Sequence, residues 1–98
     1  MPRVLERHSG GPPTFGTVTN VSSQIVANNK NRGYLLVQND SDTVVYLALN
    51  APAVVGSGIR LNANGGSYEV NFTNYFTGPV FAIQGGAGGK NVCIQEGF

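Results

Sequence analysis

One histidine, one cysteine and five carboxylates hold nearly all the catalytic chemistry open to this chain of 98 residues. Acyl transfer needs a nucleophile beside a general base. The sole histidine, His8, lies in an N-terminal stretch that reads as an arm, which leaves no base for any serine. One His and one Cys also exclude a Cys/His zinc cluster and an intramolecular disulfide. The carboxylates are Glu6, Asp40, Asp42, Glu69 and Glu96. Asp40 and Asp42 could hold calcium weakly, but their loop lacks the further oxygen ligands of a built site. Turn chemistry, in which Asp and Asn side chains bond back to nearby backbone, explains them better.

Residues 85–90, Gly-Gly-Ala-Gly-Gly-Lys, imitate a phosphate loop. The spacing requires glycine where Gln84 stands, Asn91 replaces the magnesium-binding hydroxyl, and no helical pattern follows. A hairpin loop is the better reading. Asn20, Asn39 and Asn71 each begin an N-x-Ser/Thr triplet, which an Asn-rich chain produces by chance. Cys93, between Val92 and Ile94, reads as a small buried core residue. The expectation is therefore a chain with no catalytic residues, no metal, no cofactor and no small-molecule substrate.

Such a chain must act through its surface, and the surface composition is unusual. Charged residues make up 11% and net charge is +1, against about 25% charged residues in an ordinary soluble domain. Near neutrality removes the repulsion that keeps copies apart. Six scattered Lys and Arg form no basic run, so nucleic acid is not an expected partner. No apolar stretch is long enough for a membrane helix, and the first residues lack the apolar core of a secretory signal. Synthesis in a cytoplasm is expected, and a life docked on other proteins.

The elements that would build this surface are strands. After residue 13, short apolar runs alternate with turn residues about every ten positions, the pattern of a small antiparallel β-sandwich or barrel of seven or eight strands. The runs fall near residues 15–19, 22–27, 34–38, 43–49, 58–61, 67–72, 79–84 and 91–95. Residues 34–38 and 43–49 are apolar on both faces and are expected to pair as a hairpin across the 39–42 turn. Asn64-Gly65 predicts a second hairpin, with Tyr68, Val70 and Phe72 sharing one face of the return strand.

Two features stand outside this scheme as candidate partner contacts. Residues 1–13 read as an extended arm with a Ser-Gly-Gly-Pro-Pro hinge over 9–13, and the domain proper spans 14–98. In the arm, Val4 and Leu5 have no core of their own, and Arg3 and Arg7 flank them. A frayed terminus is the competing reading. Tyr75 and Phe76 are adjacent aromatics in a loop. Both can pack in the core; the alternative turns one inward and leaves the other as an anchor.

Residues 31–41 (Asn-Arg-Gly-Tyr-Leu-Leu-Val-Gln-Asn-Asp-Ser), Val45-Tyr46-Leu47, 58–61, Gly65-Gly66-Ser67-Tyr68-Glu69 and 78–83 together resemble small β-sandwich accessory virion proteins of tailed bacteriophages. The likeness covers about two thirds of the chain and omits the arm. It implies a capsid decoration (cement) protein made in the host bacterial cytoplasm and carried in the virion. Its partners would be the major capsid protein and copies of itself, with a trimer one closed arrangement. A tail, neck or fibre component, or a carbohydrate-binding module, is the alternative.

Overall fold

Branched side chains at alternate positions favour extended backbone because they pack well on a pleated surface. In the computed structural model, which describes residues 11–98, they form eight strands: β1 (Thr14–Val18), β2 (Ser23–Val26), β3 (Tyr34–Asn39), β4 (Val45–Leu49), β5 (Ile59–Leu61), β6 (Ser67–Val70), β7 (Val80–Gln84) and β8 (Lys90–Gly97). Two four-stranded antiparallel sheets result, ordered β1-β8-β3-β6 and β2-β7-β4-β5. Strand β1 pairs with β8, β2 with β7, β3 with β6, and β4 with β5. A long folded-over ribbon rolled into two sheets has this order, which is that of a jelly roll. The expected all-β sandwich is what forms.

The core lies between the sheets. Strict alternation puts Leu35 and Val37, Val45 and Leu47, Val80 and Ala82, and Val92 and Ile94 on the inner faces, with Val18, Leu61 and Val70 completing the layer. Each large aliphatic side chain so buried contributes roughly 1.5–3 kcal/mol. Tyr68 and Phe76 pack at the margin. Gly58 (φ +81°) lets the chain enter β5 close under β4: a Cβ there would stand 2.5 Å from the Leu47 carbonyl oxygen.

The expected hairpins do not form. The connections β3–β4, β5–β6 and β7–β8, including the glycine-rich residues 85–89, all pass from one sheet to the other. Strand β3 already has β8 on one side and β6 on the other, so β4 cannot pair with it. Buried amides hold these corners. Asn39 Nδ2 donates to the carbonyls of Thr43 (2.8 Å), Leu61 (3.2 Å) and Asn62 (3.1 Å), and Oδ1 accepts from Ser41 Oγ. It thereby ties the β3–β4 crossing to the β5–β6 crossing. Gln84 Nε2 donates to the carbonyls of Gly88 (2.7 Å) and Val18 (3.4 Å). The Asn-Gly pair does adopt left-handed backbone at Asn64 (φ 60°) and Gly65 (φ 121°), but within a five-residue link that changes sheets.

Two side chains face the other way from expectation. Cys93 is exposed, not buried, because β8 turns Val92 and Ile94 inward and Cys93 therefore outward. A three-residue apolar run does not reveal which of its positions faces in. Phe72 leaves the face of Val70 because β6 ends at Val70. There the Asn71 amide accepts from Thr73, and Asn74 Oδ1 accepts from the Asn71 backbone N–H. This turn carries the Phe72 ring into solvent. Residues 1–10, with Arg3, Val4, Leu5 and Arg7, lie outside the described residues. Within the expected hinge, Gly11 is held beside β8: its N–H donates to the Glu96 carbonyl (3.1 Å), and its carbonyl accepts from Gln95 Nε2 (2.7 Å).

Candidate interaction surface

The end of the sandwich that carries Gly11 is organised by a buried arginine. Arg32 is 0% exposed. Its Nε donates to Glu96 Oε2 at 2.7 Å, Nη1 to the carbonyls of Gly78 (3.0 Å) and Phe76 (3.3 Å), and Nη2 to the Ala27 carbonyl (2.7 Å). The planar fork suits this task, since each nitrogen aims at a different segment. One side chain thus joins the β2–β3 loop, the β6–β7 loop and the last turn of β8. A buried guanidinium is tolerable only with such complete pairing.

The same residue presents the aromatic loop. The Tyr75 hydroxyl donates to the Arg32 carbonyl, while its ring stays 52% exposed. Phe72, 63% exposed, lies beside it with ring centroids 6.5 Å apart and planes tilted by 37°. Phe76 turns inward against the core, and its ring fills the space over Gly78, where a Cβ would sit 2.7 Å from Cζ. Of the two expected contact residues, Tyr75 is available to a partner and Phe76 is chiefly packing. Phe98, at the same end, covers Gly11.

The second surface is the outer face of the sheet containing β1. Antiparallel register sets Phe15 opposite Cys93, Cys93 opposite Gln38, Gln95 opposite Leu36, and Leu36 opposite Glu69. Phe15 is 70% exposed. Leu36, Gln38, Cys93, Gln95 and Pro13 help to line a shallow depression of about 210 Å³. Small-molecule sites usually occupy roughly 300–1,000 Å³, so this hollow suits a side chain better than a substrate. On the other sheet, residues 50–58 run alongside: the Ala53 N–H donates to Ser22 Oγ (2.8 Å), and Val55 approaches Gly85. Tyr46, Phe81 and Ile83 are half-buried there.

Electrostatics are sparse. A hydrogen bond from Lys90 Nζ (3.0 Å) and another from Thr43 hold the exposed Asp42 carboxyl below its ordinary value. A hydrogen bond to Glu69, with burial and the carboxylate's charge, pushes the Tyr34 hydroxyl up. Among the described residues no three His, Cys, Asp or Glu side chains gather as metal ligands, and no buried side-chain nitrogen or oxygen lacks a partner.

Sequence reasoning missed the outer-face set of Phe15, Leu36, Cys93 and Gln95, because pairing across β1, β8 and β3 is non-local. It also gave Arg32 no role. An arginine beside an Asn-rich turn carries no local sign of burial; three of its four acceptors, at Phe76, Gly78 and Glu96, lie 44 to 64 residues away. No family model matches the chain, and no curated protein or solved structure matches it.

Proposed function

We propose that this protein is a non-enzymatic structural virion component, a capsid decoration protein that binds and stabilises an assembled bacteriophage head. The observation that carries the reading is the outer face of the β1-containing sheet. Three strands present Phe15, Leu36, Cys93, Gln38 and Gln95 outward, and the fourth, β6, carries the Glu69 carboxylate at their edge. Rigid strands carrying apolar and amide groups lose little entropy on docking, and a low-charge contact is depleted of the groups that interface cores avoid. Many copies, each weakly held, stabilise a shell through their number. The resemblance of residues 31–98 to phage accessory proteins points the same way. Partners are the major capsid protein and further copies of this chain.

A tail, neck or fibre component would use the same chemistry at lower copy number. One observation favours a carbohydrate-binding module: the exposed Phe72–Tyr75 ring pair, on an architecture that serves both capsid and lectin domains. Quantifying the protein in purified particles separates these readings. A decoration protein rivals the major capsid protein in amount, whereas a tail part is scarce. Absence from particles, together with binding on a glycan array, would replace the proposal by the lectin reading.

A further inference from the structure

We propose that the loop carrying Phe72 and Tyr75 binds a neutral sugar, with a pyranose ring stacked on the two exposed aromatics and its hydroxyls bonded to the Glu69 carboxylate. The loop holds both rings in place. The Tyr75 hydroxyl donates to the Arg32 carbonyl, on a residue that four side-chain hydrogen bonds fix. Its ring is thus tethered at the far end while Tyr75 stays 52% exposed. Phe72 sits in a turn where Asn71 Oδ1 accepts from the Thr73 N–H (2.8 Å) and hydroxyl (2.6 Å), and Asn74 Oδ1 accepts from the Asn71 N–H (2.8 Å). Asn74 Nδ2 closes this turn onto the Glu69 carbonyl (2.7 Å). Aromatic side chains presented in this way offer contact area at little entropic cost.

The chemistry of the loop selects the ligand. Aromatic faces are electronegative and attract the weakly positive C–H hydrogens on one side of a pyranose. The two ring centroids lie 6.5 Å apart, close enough for one ligand to touch both. Residues 66–79 contain no Lys or Arg, so a phosphate or nucleic acid finds no cation in this segment. Glu69 is exposed and accepts from Asn71 Nδ2 (3.2 Å) and the Tyr34 hydroxyl. A carboxylate has about four acceptor sites, which leaves room for the hydroxyls along a sugar's edge. A purely apolar partner would desolvate that carboxylate and the neighbouring amides without return. A sugar, apolar on its face and polar at its rim, meets both.

This inference takes up the ring pair noted above, and it requires neither the virion reading nor the lectin reading as the protein's whole function. Head attachment is read by co-sedimentation and sugar binding on the isolated protein, so either can fail alone. A single contact of this size is weak, with a Kd of about 1 mM, and many copies on one surface would raise its avidity. Phe15 supplies an internal control. It is 70% exposed but lies on β1, at the opposite edge of its sheet from β6, three strand spacings or roughly 14 Å away.

The test titrates the full chain with the methyl glycosides of glucose, galactose, mannose and N-acetylglucosamine, each to about 50 mM, following the ring protons of Phe72 and Tyr75 by NMR. At least one glycoside should shift both rings saturably. Phe72→Ala, Tyr75→Ala and Glu69→Ala should each weaken that binding at least about five-fold, whereas Phe15→Ala should leave it unchanged. Amide spectra of the variants check the fold; if Tyr75→Ala disturbs the Arg32 end, Phe72→Ala and Glu69→Ala decide. Three results would overturn the proposal: no shift with any of the four glycosides, binding that survives Phe72→Ala or Glu69→Ala, or ring shifts that follow protein concentration without sugar, the mark of a protein contact.

Discussion

Arg32 and Glu96 stand 64 residues apart in the chain and 2.7 Å apart in space, joined at the end of the sandwich where Gly11 meets β8. Arg32 is wholly buried and Glu96 mostly so. The pair is best understood as a clamp. Its guanidinium satisfies three backbone carbonyls that the β2–β3 and β6–β7 loops leave unpaired, and its carboxylate partner fixes the tail of β8.

Breaking the clamp should be among the costliest single changes. Arg32→Ala strands a largely buried carboxylate and three carbonyls, for an expected loss of roughly 3–5 kcal/mol. Arg32→Lys should recover only part of this, since an ammonium cannot fan out to four acceptors. Urea melts of the two variants check the order. Equal stability of Arg32→Ala and the parent would refute the clamp.

The Asn39 corner gives a second test. Its Nδ2 group faces three carbonyl oxygens, so Asn39→Asp places a carboxylate where only a donor fits. Asn39→Ala leaves those acceptors unpaired, at about 1–3 kcal/mol. The aspartate variant should be the less stable of the two at neutral pH, and should recover toward acid pH as the carboxyl protonates and regains a donor. The reverse order in chemical denaturation would mean that Asn39 is a turn residue after all.

The strands were legible because their pattern is local; their partners were not. Residues 34–38 announce a strand within a few residues, although their apolar character on both faces suggests cover on both sides and only the face of Leu35 and Val37 is buried. That β3 pairs with β6 and β8 rather than with β4 depends on Asn39 reaching Leu61 and Asn62, 22 and 23 residues away. Cys93 shows the same limit at one residue. The run Val92-Cys93-Ile94 signals a strand, and only the pairing with Phe15 and Gln38 reveals its outward face. Of the candidate contacts, Tyr75 was legible as a loop aromatic. Nothing local distinguished it from Phe76, which Gly78 admits to the core margin.

Exposure of Cys93 has a direct consequence. In dilute solution one thiol per folded chain should react with a maleimide without denaturant. Denaturation should then add no further labelled site. A thiol that reacts only after unfolding would return Cys93 to the core and reverse the facing of β8.

Two titrations follow from named partners. The Asp42 carboxyl is lowered by Lys90 and Thr43, so its small contribution to stability is present above the unfolded value and fades as pH falls through the folded one. Lys90→Ala should move the Asp42 midpoint, read from its carboxyl carbon by NMR, up toward 3.8. The Tyr34 hydroxyl is raised by Glu69. Its contribution is therefore complete below the unfolded value and is lost as pH rises through the folded one. Glu69→Gln should bring Tyr34 back toward 10.0. Unchanged midpoints in the variants would contradict these pairings.

The proposed function requires docking on an assembled phage head through apolar and amide contacts. Salt screens such contacts little, whereas a charge-driven attachment weakens steeply between about 0.05 M and about 1 M ionic strength. The decisive measurement is co-sedimentation of the full chain with heads purified from a phage deleted for this gene, at both ionic strengths. Saturable binding at near-capsid stoichiometry, retained in high salt, is the expected result. Heads that bind nothing, or that release the protein in high salt, would contradict it.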